Sequence, residues 1–284
     1  MDSTELLEQA YATMTDGAGR AIAEDPVWAG VDLGTAYTVV LAVDSLGCPI
    51  GGAMEFAQIV RDGLVVDFVG AVDLLCDLKA RVEAQLGRAL RDAYSAFPPG
   101  VPPAERRATA NVVEAAGFEC RGLIDEPAAA NAVLGIREGA IVDVGGGTTG
   151  IAIVRDGKVV YTADEPTGGT HFSLVVAGAL NLSFEDAEQT KTDPAEQPRL
   201  FPILRPVMEK VSAIVARHIA GHAVEQIHLV GGASAYPGFA DVVSEWTGVP
   251  ASVPPHPLYV TPLGIALSHR QSVASTPESI PMAA

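Results

Sequence analysis

The apolar positions in the first half of the chain predict a group of strands followed by alternating helices and strands. Short apolar runs at 27–32, 37–43 and 50–56 are separated by polar turns, which is typical of a β-meander. From Phe68 the apolar residues recur at helical spacing as far as Leu90. The remaining predicted elements of this half are a strand at 94–97, a helix at 103–117, a strand at 118–124 and a helix at 126–135. This mixture predicts an α/β fold.

The second half of the chain repeats this order of elements. Its predicted elements are strands at 140–144, 149–154 and 158–163, helices at 170–180, 184–191 and 205–222, a strand at 226–230, one further helix after a Gly turn, and a closing segment at 261–270. Ser183 is expected to cap the short helix, and 192–198 is expected to be a loop. The polar, alanine-rich first 25 residues predict a frayed helix, and the Ser/Pro/Ala-rich segment 271–284 is predicted to be disordered.

An internal repeat is the most informative feature of the sequence. "VDLGTAYTVVLAV" at 31–43 aligns with "VDVGGGTTGIAIV" at 142–154, so that Asp32 matches Asp143, Gly34 matches Gly145, and Thr38 matches Thr149. Two copies of one unit predict two similar lobes whose aspartates meet across a cleft. Each Asp taken alone is equally well explained as a structural residue at a strand end. As a pair beside Gly-rich turns, the two carboxylates suit Mg²⁺ with phosphate groups.

The composition of the chain narrows the range of partners. The 284 residues carry a formal net charge of −17, which disfavours binding to nucleic acid or to anionic membranes. No apolar run approaches the ~18 residues that a membrane span needs. The three cysteines have no CxxC spacing, which is typical of a reducing compartment. We therefore expect a cytoplasmic protein that binds no nucleic acid and has no membrane span.

Five segments in a fixed order resemble the actin-like ATPase superfamily, which includes actin, sugar kinases, MreB and the DnaK-type chaperones. They are "GVDLGTAYT" at 30–38, "DEPAAANAVLG" at 125–135, "IVDVGGGTTGIAIV" at 141–154, "DAEQTK" at 186–191 and "IHLVGGASAYPGF" at 227–239. The resemblance implies two similar lobes, built as duplicated ribonuclease H-like units, with a nucleotide cleft between them. The implied divisions are a tail at 1–25, lobe I at 26–139 joined by a closing helix at 261–270, lobe II at 140–260 and a disordered tail at 271–284.

The resemblance also implies a role for each matching residue, with ATP or ADP and Mg²⁺ as cofactors. Asp32 and Asp143 match the aspartates that hold Mg²⁺ through water, and Glu126 matches the residue that positions the attacking water. The implied phosphate-binding residues are Gly34, Thr35, Gly145, Gly146, Gly147, Thr148, Thr149, Gly168 and Gly169. The implied adenosine-binding residues are Glu188, Lys191, Gly231, Gly232 and Ser234. Simpler interpretations stay open: Glu126 can favour the helix start, Glu188 and Lys191 can form a solvated helix face, and 231–234 can be a plain turn.

Four positions depart from the superfamily pattern. Ala36 stands where the chaperones have a second Thr, and Tyr37 replaces a small polar residue next to the phosphate loop. Gly150 replaces an acidic residue that is common after the second loop, and Lys79 lies in the wrong context to act as the catalytic lysine of the chaperones. These departures predict slow hydrolysis rather than loss of nucleotide binding.

Within the superfamily, the chain is most similar to the small chaperone-like proteins of ethanolamine utilisation operons. The similarity lies in "FPPG" at 97–100, "VARHIAGH" at 215–222, "YVTPLGIA" at 259–266 and the segment 143–174. It implies an assembly or protective role with a protein client or a component of a bacterial microcompartment, and ethanolamine ammonia-lyase is a candidate partner. Three alternatives remain: an ATP-regulated filament or scaffold protein like MreB, FtsA or PilM, a small-molecule kinase, and a nucleotide-binding pseudoenzyme.

Overall fold

The computed structural model of the chain describes residues 1–16, 26–57, 60–61 and 64–270; residues 17–25 of the predicted first tail and the predicted disordered tail at 271–284 lie outside them. The first half contains α1 Ser3–Asp16, β1 Trp28–Leu33, β2 Tyr37–Val43, β3 Pro49–Phe56, β4 Val60–Arg61, β5 Leu64–Val65, α2 Phe68–Leu86, β6 Asp92–Phe97, α3 Pro103–Ala115, β7 Glu119–Asp125 and α4 Glu126–Leu134. The second half contains β8 Gly139–Val144, β9 Thr149–Arg155, β10 Lys158–Glu165, α5 Gly169–Leu180, α6 Phe184–Thr192, α7 Gln197–Ile219, β11 Ile227–Val230, α8 Phe239–Thr247, β12 Ala251–Ser252 and α9 Val260–Ala266, with short 3-10 helices at Gly232–Ala235 and Pro257–Tyr259.

Two five-stranded sheets of the same topology carry the fold. The first has the strand order β3-β2-β1-β6-β7 and the second has the order β10-β9-β8-β11-β12. In each sheet a three-stranded antiparallel meander is extended by two parallel strands beside its first strand. Asp32 and Asp143 occupy matching positions, one residue before the ends of β1 and β8. The predicted α/β fold with two similar lobes is confirmed, while the predicted lobe boundaries stay a prediction.

Helix α9 packs against β1 and α4 at sites where only glycine fits. A Cβ atom on Gly264 would lie 1.9 Å from the carbonyl oxygen of Ala129 in α4. A Cβ atom on Gly30 in β1 would lie 2.3 Å from the carbonyl oxygen of Pro262 in α9. Because both contacts are to backbone atoms, a side chain at either glycine would force the elements apart. This close packing brings the start of α9 to the edge of the cleft.

The N-terminal segment differs from its prediction. Residues 3–16 form a regular helix in which Leu7 and Ala10 are fully buried. Leu7, Ala10 and Met14 share one helix face, and this face joins the apolar cluster formed with Leu41, Val43 and the start of α9. The side chain of Gln9 also donates to the carbonyl oxygen of Pro49 at 2.9 Å. Packing against the first sheet therefore stabilises a helix whose composition alone predicts fraying.

Helix α7 begins earlier than predicted and contains two internal prolines. It begins at Gln197 rather than Arg205 and includes Pro202 and Pro206. Interior proline costs a helix roughly 3 kcal/mol because it removes a hydrogen bond and crowds the preceding turn. The buried face of α7 is continuous across these prolines and includes Leu200, Leu204, Met208 and Val211. Burial of this face outweighs the local cost. The connection between α6, which ends at Thr192, and α7 is therefore shorter than the predicted loop at 192–198.

Candidate functional site

The two Gly-containing turns of the internal repeat face each other across the cleft. In the first turn, the amide of Gly34 donates to the carbonyl oxygen of Tyr37 at 3.1 Å, and in the second the amide of Gly145 donates to that of Thr148 at 3.0 Å. A Cβ atom on Gly146 would lie 2.6 Å from the Cβ atom of Ala36. The run of three glycines therefore allows one turn to contact the other, which a side chain at Gly146 would prevent.

A small cavity of about 90 Å³ lies where the two turns meet the start of α4. We call it the acidic cavity. It is lined by Asp32, Leu33, Gly34, Thr35, Ala96, Pro98, Thr109, Glu126, Asp143, Gly145, Gly146, Gly147, Thr148, Gly150 and Thr261. The three predicted catalytic residues, Asp32, Glu126 and Asp143, thus lie together, and no basic side chain is among the described residues that line this cavity.

The carboxyl groups in the acidic cavity have raised pKa values. Burial, and then the negative charge of Asp143, raise the pKa of Asp32 to about 7. Burial raises the pKa of Glu126 well above its usual range, and the charges of Asp32, Asp143, Asp164 and Asp125 raise it further. Burial also raises the pKa of Asp143, although a hydrogen bond from Thr261 opposes the rise. The cavity therefore concentrates negative charge that only a bound cation or protons can offset.

Thr261, at the start of α9, binds directly to one of the predicted metal-binding aspartates. Its hydroxyl Oγ1 donates to Oδ2 of Asp143 at 2.8 Å. Gly231 packs on the other side of the same carboxylate, where a Cβ atom would lie 2.2 Å from Oδ1 of Asp143. Gly231 has φ +85°, a conformation that glycine adopts without strain. The orientation of the Asp143 side chain is therefore set by residues from two other parts of the chain.

A larger cavity of about 520 Å³ adjoins the acidic cavity and shares Asp32, Asp143 and parts of both turns with it. We call it the aromatic cavity. Its lining residues outside the acidic cavity are Tyr11, Ala36, Tyr37, Val39, Met54, Phe56, Gly169, Thr170, Phe184, Glu188, Lys191, Thr192, Gly231, Gly232, Ala233, Ala235 and Leu258. Its volume is in the range of about 300–1,000 Å³ that is common for small-molecule sites.

Aromatic side chains cross this cavity from one lobe to the other. The rings of Tyr37 and Phe56 meet edge to face with 5.4 Å between their centroids. The ring of Phe56 also lies against that of Phe184, the first residue of α6, at 6.4 Å. Since β3 belongs to the first sheet and α6 to the second half of the molecule, the Phe56–Phe184 contact joins the two lobes.

Glu188 and Lys191 form a buried polar pair in the wall of the aromatic cavity. The ammonium of Lys191 donates to Oε2 of Glu188 at 2.6 Å and to the hydroxyl of Ser173 at 3.0 Å. The hydroxyl of Ser173 donates to the same carboxylate oxygen. Burial lowers the pKa of Lys191, and the neighbouring Glu188 opposes that change. These residues are not a solvated helix face, because each side chain is only 11% exposed.

Three of the predicted binding residues line neither cavity. The hydroxyl of Thr149 is fully buried and donates to the carbonyl oxygen of Thr167 at 2.6 Å. The hydroxyl of Ser234 is likewise buried and donates to the carbonyl oxygen of Val230 at 2.6 Å. Gly168 packs beneath the second turn, where a Cβ atom would lie 2.6 Å from the carbonyl oxygen of Gly145. In this structure these three residues shape the site without facing either cavity.

Tyr11, Phe56, Phe184 and Thr261 line the cavities although the sequence did not single them out. Thr261 lies within the "YVTPLGIA" segment used for the resemblance, so its position was a usable signal. The three aromatic residues lie in segments that differ from one another and carry no shared motif. Their common location depends on how the elements pack.

The donor set of the acidic cavity fits a hard cation held through water. Carboxylate and hydroxyl oxygens are the ligands that Mg²⁺ accepts, and Mg²⁺ commonly keeps several of its waters. Across the part of the chain that the structure describes, no group of three or more His, Cys, Asp or Glu side chains is placed to hold a metal directly. The carboxylates of Asp32 and Asp143 and the hydroxyl of Thr261 are of the donor type that suits Mg²⁺ and its waters.

Comparison with known proteins identifies the family. The family model for MreB/Mbl protein matches residues 50–184, and the model for type IV pilus assembly protein PilM matches residues 128–257. Ethanolamine utilization protein EutJ of Escherichia coli is 44% identical over 252 residues, which are 88% of this chain and 89% of that protein. The chain belongs to the EutJ family. Parts of it also match the family models of MreB and PilM.

Solved structures agree with the EutJ assignment. The crystal structure of EutJ from Carboxydothermus hydrogenoformans is 43% identical, covers 93% of this chain and 97% of its own, and has a TM-score of 0.89. MreB5 of Spiroplasma citri bound to AMPPNP is 18% identical, covers 88% of this chain and 98% of its own, and has a TM-score of 0.70, which shows the shared fold. In residues 1–16, 26–57, 60–61 and 64–270 of this EutJ family member, no helix is both long and apolar enough to cross a membrane.

Proposed function

We propose that this protein binds ATP and ADP with Mg²⁺ in the cleft formed by the two cavities. The observation that carries the proposal is the junction of the cavities at Asp32 and Asp143, which joins a carboxylate-lined end to an aromatic end of nucleoside size. Thr35, Gly146, Gly147 and Thr148 would face the phosphates. The amides of Gly34 and Gly145 are used within their turns, so those glycines would shape the loops rather than donate. The structure of MreB5 with AMPPNP bound supports a nucleotide as the ligand class.

The wall of the aromatic cavity would hold the adenosine. Tyr37, Phe56 and Phe184 provide apolar ring surface for the base. Glu188 and Lys191 provide a buried acceptor and donor for polar groups of the nucleoside. Gly231 and Gly232 also line the cavity, and the absence of side chains there lets a ligand approach the backbone.

We further propose slow hydrolysis of ATP. The oxygen of a water molecule bonds to the γ-phosphorus while the bond from that phosphorus to the β–γ bridging oxygen breaks, and ADP leaves with that electron pair. Glu126 orients the water by accepting a hydrogen bond from it, and the water's proton passes to solvent. Mg²⁺, when bound, supplies positive charge to the phosphates, while Asp32 and Asp143 hold its waters. No basic side chain among the described lining residues adds charge at this end, which is consistent with a slow rate.

Nucleotide-dependent closure of the lobes would control binding to a protein partner. The membership in the EutJ family points to a partner in ethanolamine utilization, and we propose a microcompartment component or ethanolamine ammonia-lyase, in the cytoplasm or at a microcompartment.

The rival that a specific observation favours is a nucleotide-binding pseudoenzyme. Tyr37 narrows the site next to the phosphate turn, and the acidic cavity is small.

Calorimetric titration with ATP and with ADP, each with and without Mg²⁺, tests the proposal. We expect saturable binding of both nucleotides that is tighter with Mg²⁺, and we expect Asp143→Asn to remove most of the gain from Mg²⁺. Asp73→Asn, an exposed aspartate on α2, is the matched control. Absence of binding by the wild type would refute the proposal, and binding without any hydrolysis would favour the pseudoenzyme.

The filament alternative is tested separately by ultracentrifugation. A net charge of −17 opposes self-association, so we expect a small particle of constant size with or without ATP. Long polymers that form only with ATP at near-physiological salt would support a filament protein instead. A small-molecule kinase would show nucleotide turnover only when a second substrate is added.

A further inference from the structure

Gly150 lies between two aspartates in a row across the second sheet. In the β8–β9 pairing, Gly150 is opposite Asp143, and in the β9–β10 pairing it is opposite Asp164. Directly paired residues on neighbouring strands place their side chains on the same face of a sheet. The side chains of Asp143 and Asp164 therefore point to one face, with the side-chain position of residue 150 between them.

The carboxylate of Asp164 lies at contact distance from the side-chain position of residue 150. A Cβ atom on Gly150 would lie 3.8 Å from Oδ1 of Asp164 and 3.9 Å from the Cβ atom of Asp143, both ordinary contact distances. Gly150 is not one of the glycines with a positive φ angle, so its backbone does not demand glycine. The carboxylate of Asp164 is the nearest group to this position.

Asp164 also lies close enough to Glu126 to affect it. The charge of Asp164 contributes to the raised pKa of Glu126, after burial and the charges of Asp32 and Asp143. Gly150 itself lines the acidic cavity together with Glu126 and Asp143. Asp164 therefore belongs to the same group of carboxylates as Asp32, Glu126 and Asp143. It comes from β10, the outermost strand of the sheet, which is next to the strand that carries the lining residue Gly150.

We propose that Asp164 is a positioning residue of the nucleotide site and supplies, from β10, the carboxylate that position 150 lacks. It would accept hydrogen bonds from the water molecules that Asp143 and Glu126 hold next to the phosphates and the cation. The inference rests on the proposed function, because it assigns Asp164 to the same site.

Relocation of the carboxylate tests this inference. The variants are Asp164→Asn, which removes the charge, and the double variant Gly150→Asp with Asp164→Asn, which moves the carboxylate to the neighbouring strand. A Cβ atom at residue 150 meets only ordinary contact distances, and Asp164→Asn removes the charge that would repel the new carboxylate. Glu165→Gln is the matched control, because Glu165 is the next residue on β10 and binds Arg217 and His218 away from the cavities.

The readouts are the Mg²⁺-dependent gain in ADP affinity, the single-turnover rate of ATP hydrolysis and the melting temperature without nucleotide. We expect Asp164→Asn to reduce the gain and the rate by about 10–100-fold, as is typical for residues that support metal-bound groups. The double variant should recover most of both, and Glu165→Gln should change neither. ADP affinity without Mg²⁺ should stay the same in all variants.

Each other result contradicts the inference in a distinguishable way. Normal affinity gain and normal rate in Asp164→Asn would overturn it and leave the proposed function standing. A double variant that melts like the wild type but stays as impaired as Asp164→Asn would also overturn it. If the wild type binds nucleotide but does not hydrolyse it, the Mg²⁺-dependent gain in ADP affinity alone tests the inference. If the wild type binds no nucleotide at all, the proposed function fails and this inference fails with it.

Discussion

The ring of Tyr11 lies flat on the imidazole of His256, with 3.9 Å between the ring centroids and 6° between the planes. Nε2 of His256 also lies 3.1 Å from Oε2 of Glu8, one turn earlier on α1. Helix α1 packs on the first sheet, whereas Pro257, next to His256, accepts a hydrogen bond from the amide of Gly231 at the end of β11. The N-terminal helix therefore joins elements of both lobes beside the aromatic cavity.

Tyr11→Ala should weaken this connection. Stacked aromatic pairs contribute about 0.5–1.5 kcal/mol, and for a chain of this size each kcal/mol lowers the melting temperature by about 2–4 °C. Because Tyr11 also lines the aromatic cavity, we expect ADP to dissociate faster from this variant. Stopped-flow measurement of ADP release and a melting curve check the two effects. Tyr11→Phe keeps the ring and should behave like the wild type; equal release rates in all three proteins would show that the contact does not restrain the lobes.

Asp32→Asn should stabilise the protein in the absence of metal and nucleotide. Asp32 faces Asp143 in a cavity whose described lining residues include no basic side chain, so removal of one charge relieves repulsion and a desolvation cost. In the presence of a chelator we expect the variant to melt a few degrees above the wild type. Each kcal/mol added to the free energy of unfolding raises the melting temperature by about 2–4 °C. With Mg²⁺ and ADP the order should reverse, because the variant loses metal-dependent affinity. Asp73→Asn should match the wild type in both conditions, and a lower melting temperature of Asp32→Asn in chelator would contradict the prediction.

Glu126→Gln should lower the rate of ATP hydrolysis by at least about 10²-fold while ATP affinity stays nearly unchanged. In the proposed site the carboxylate acts on the water and not on the phosphates, so its loss affects the chemical step. The alternative is that Glu126 only favours the start of α4, which is worth ~0.3–1 kcal/mol. Single-turnover hydrolysis and a melting curve on one preparation separate the two. A variant that hydrolyses normally but melts slightly earlier would leave Glu126 with the structural role alone.

Glu165 should make the stability of the second lobe depend on pH in the acid range. The hydrogen bond from His218, followed by the bond from Arg217, holds the pKa of Glu165 below its usual value near 4.5. Since the folded state favours the ionised form, the resulting stability is present above pH 4.5 and is lost as the pH falls through the lowered pKa. Arg217 is largely exposed, so the effect should stay below about 1 kcal/mol.

Melting curves between pH 3 and pH 7 check this prediction. Glu165→Gln should melt earlier than the wild type at pH 7 and approach it at the acid end of the range. Glu225→Gln removes an exposed carboxylate and is the control. Its melting temperature should differ from that of the wild type by the same small amount at every pH. A constant difference between Glu165→Gln and the wild type across the whole range would mean that the ionised carboxylate is not the source of the stability.

Local signals in the sequence were sufficient for the order of elements and for the acidic centre of the site. Helical spacing from Phe68 predicts α2, and the pattern of Ser183 before Asp186 predicts the start of α6, where the Ser183 hydroxyl accepts from the amide of Asp186. The repeat predicts that Asp32 and Asp143 meet, and both line the acidic cavity. The helix predictions succeed because periodicity and capping act over a few neighbouring residues, whereas the meeting of the two aspartates follows from the internal repeat.

Tertiary structure alone decided which other distant residues share the cleft with the two aspartates. Thr261 lies 118 positions from the aspartate that it binds, and Tyr11 reaches the cavity only because Leu7 and Ala10 bury α1 against the first sheet. Packing also overrides the local cost of Pro202 and Pro206, which is why α7 begins before the predicted position. The sequence by itself determined the two lobes through the internal repeat, and it determined the Gly-rich turns through short-range patterns. The place of Asp164 beside Gly150 depends on strand register, which is set by pairing between strands and by burial of a whole sheet face.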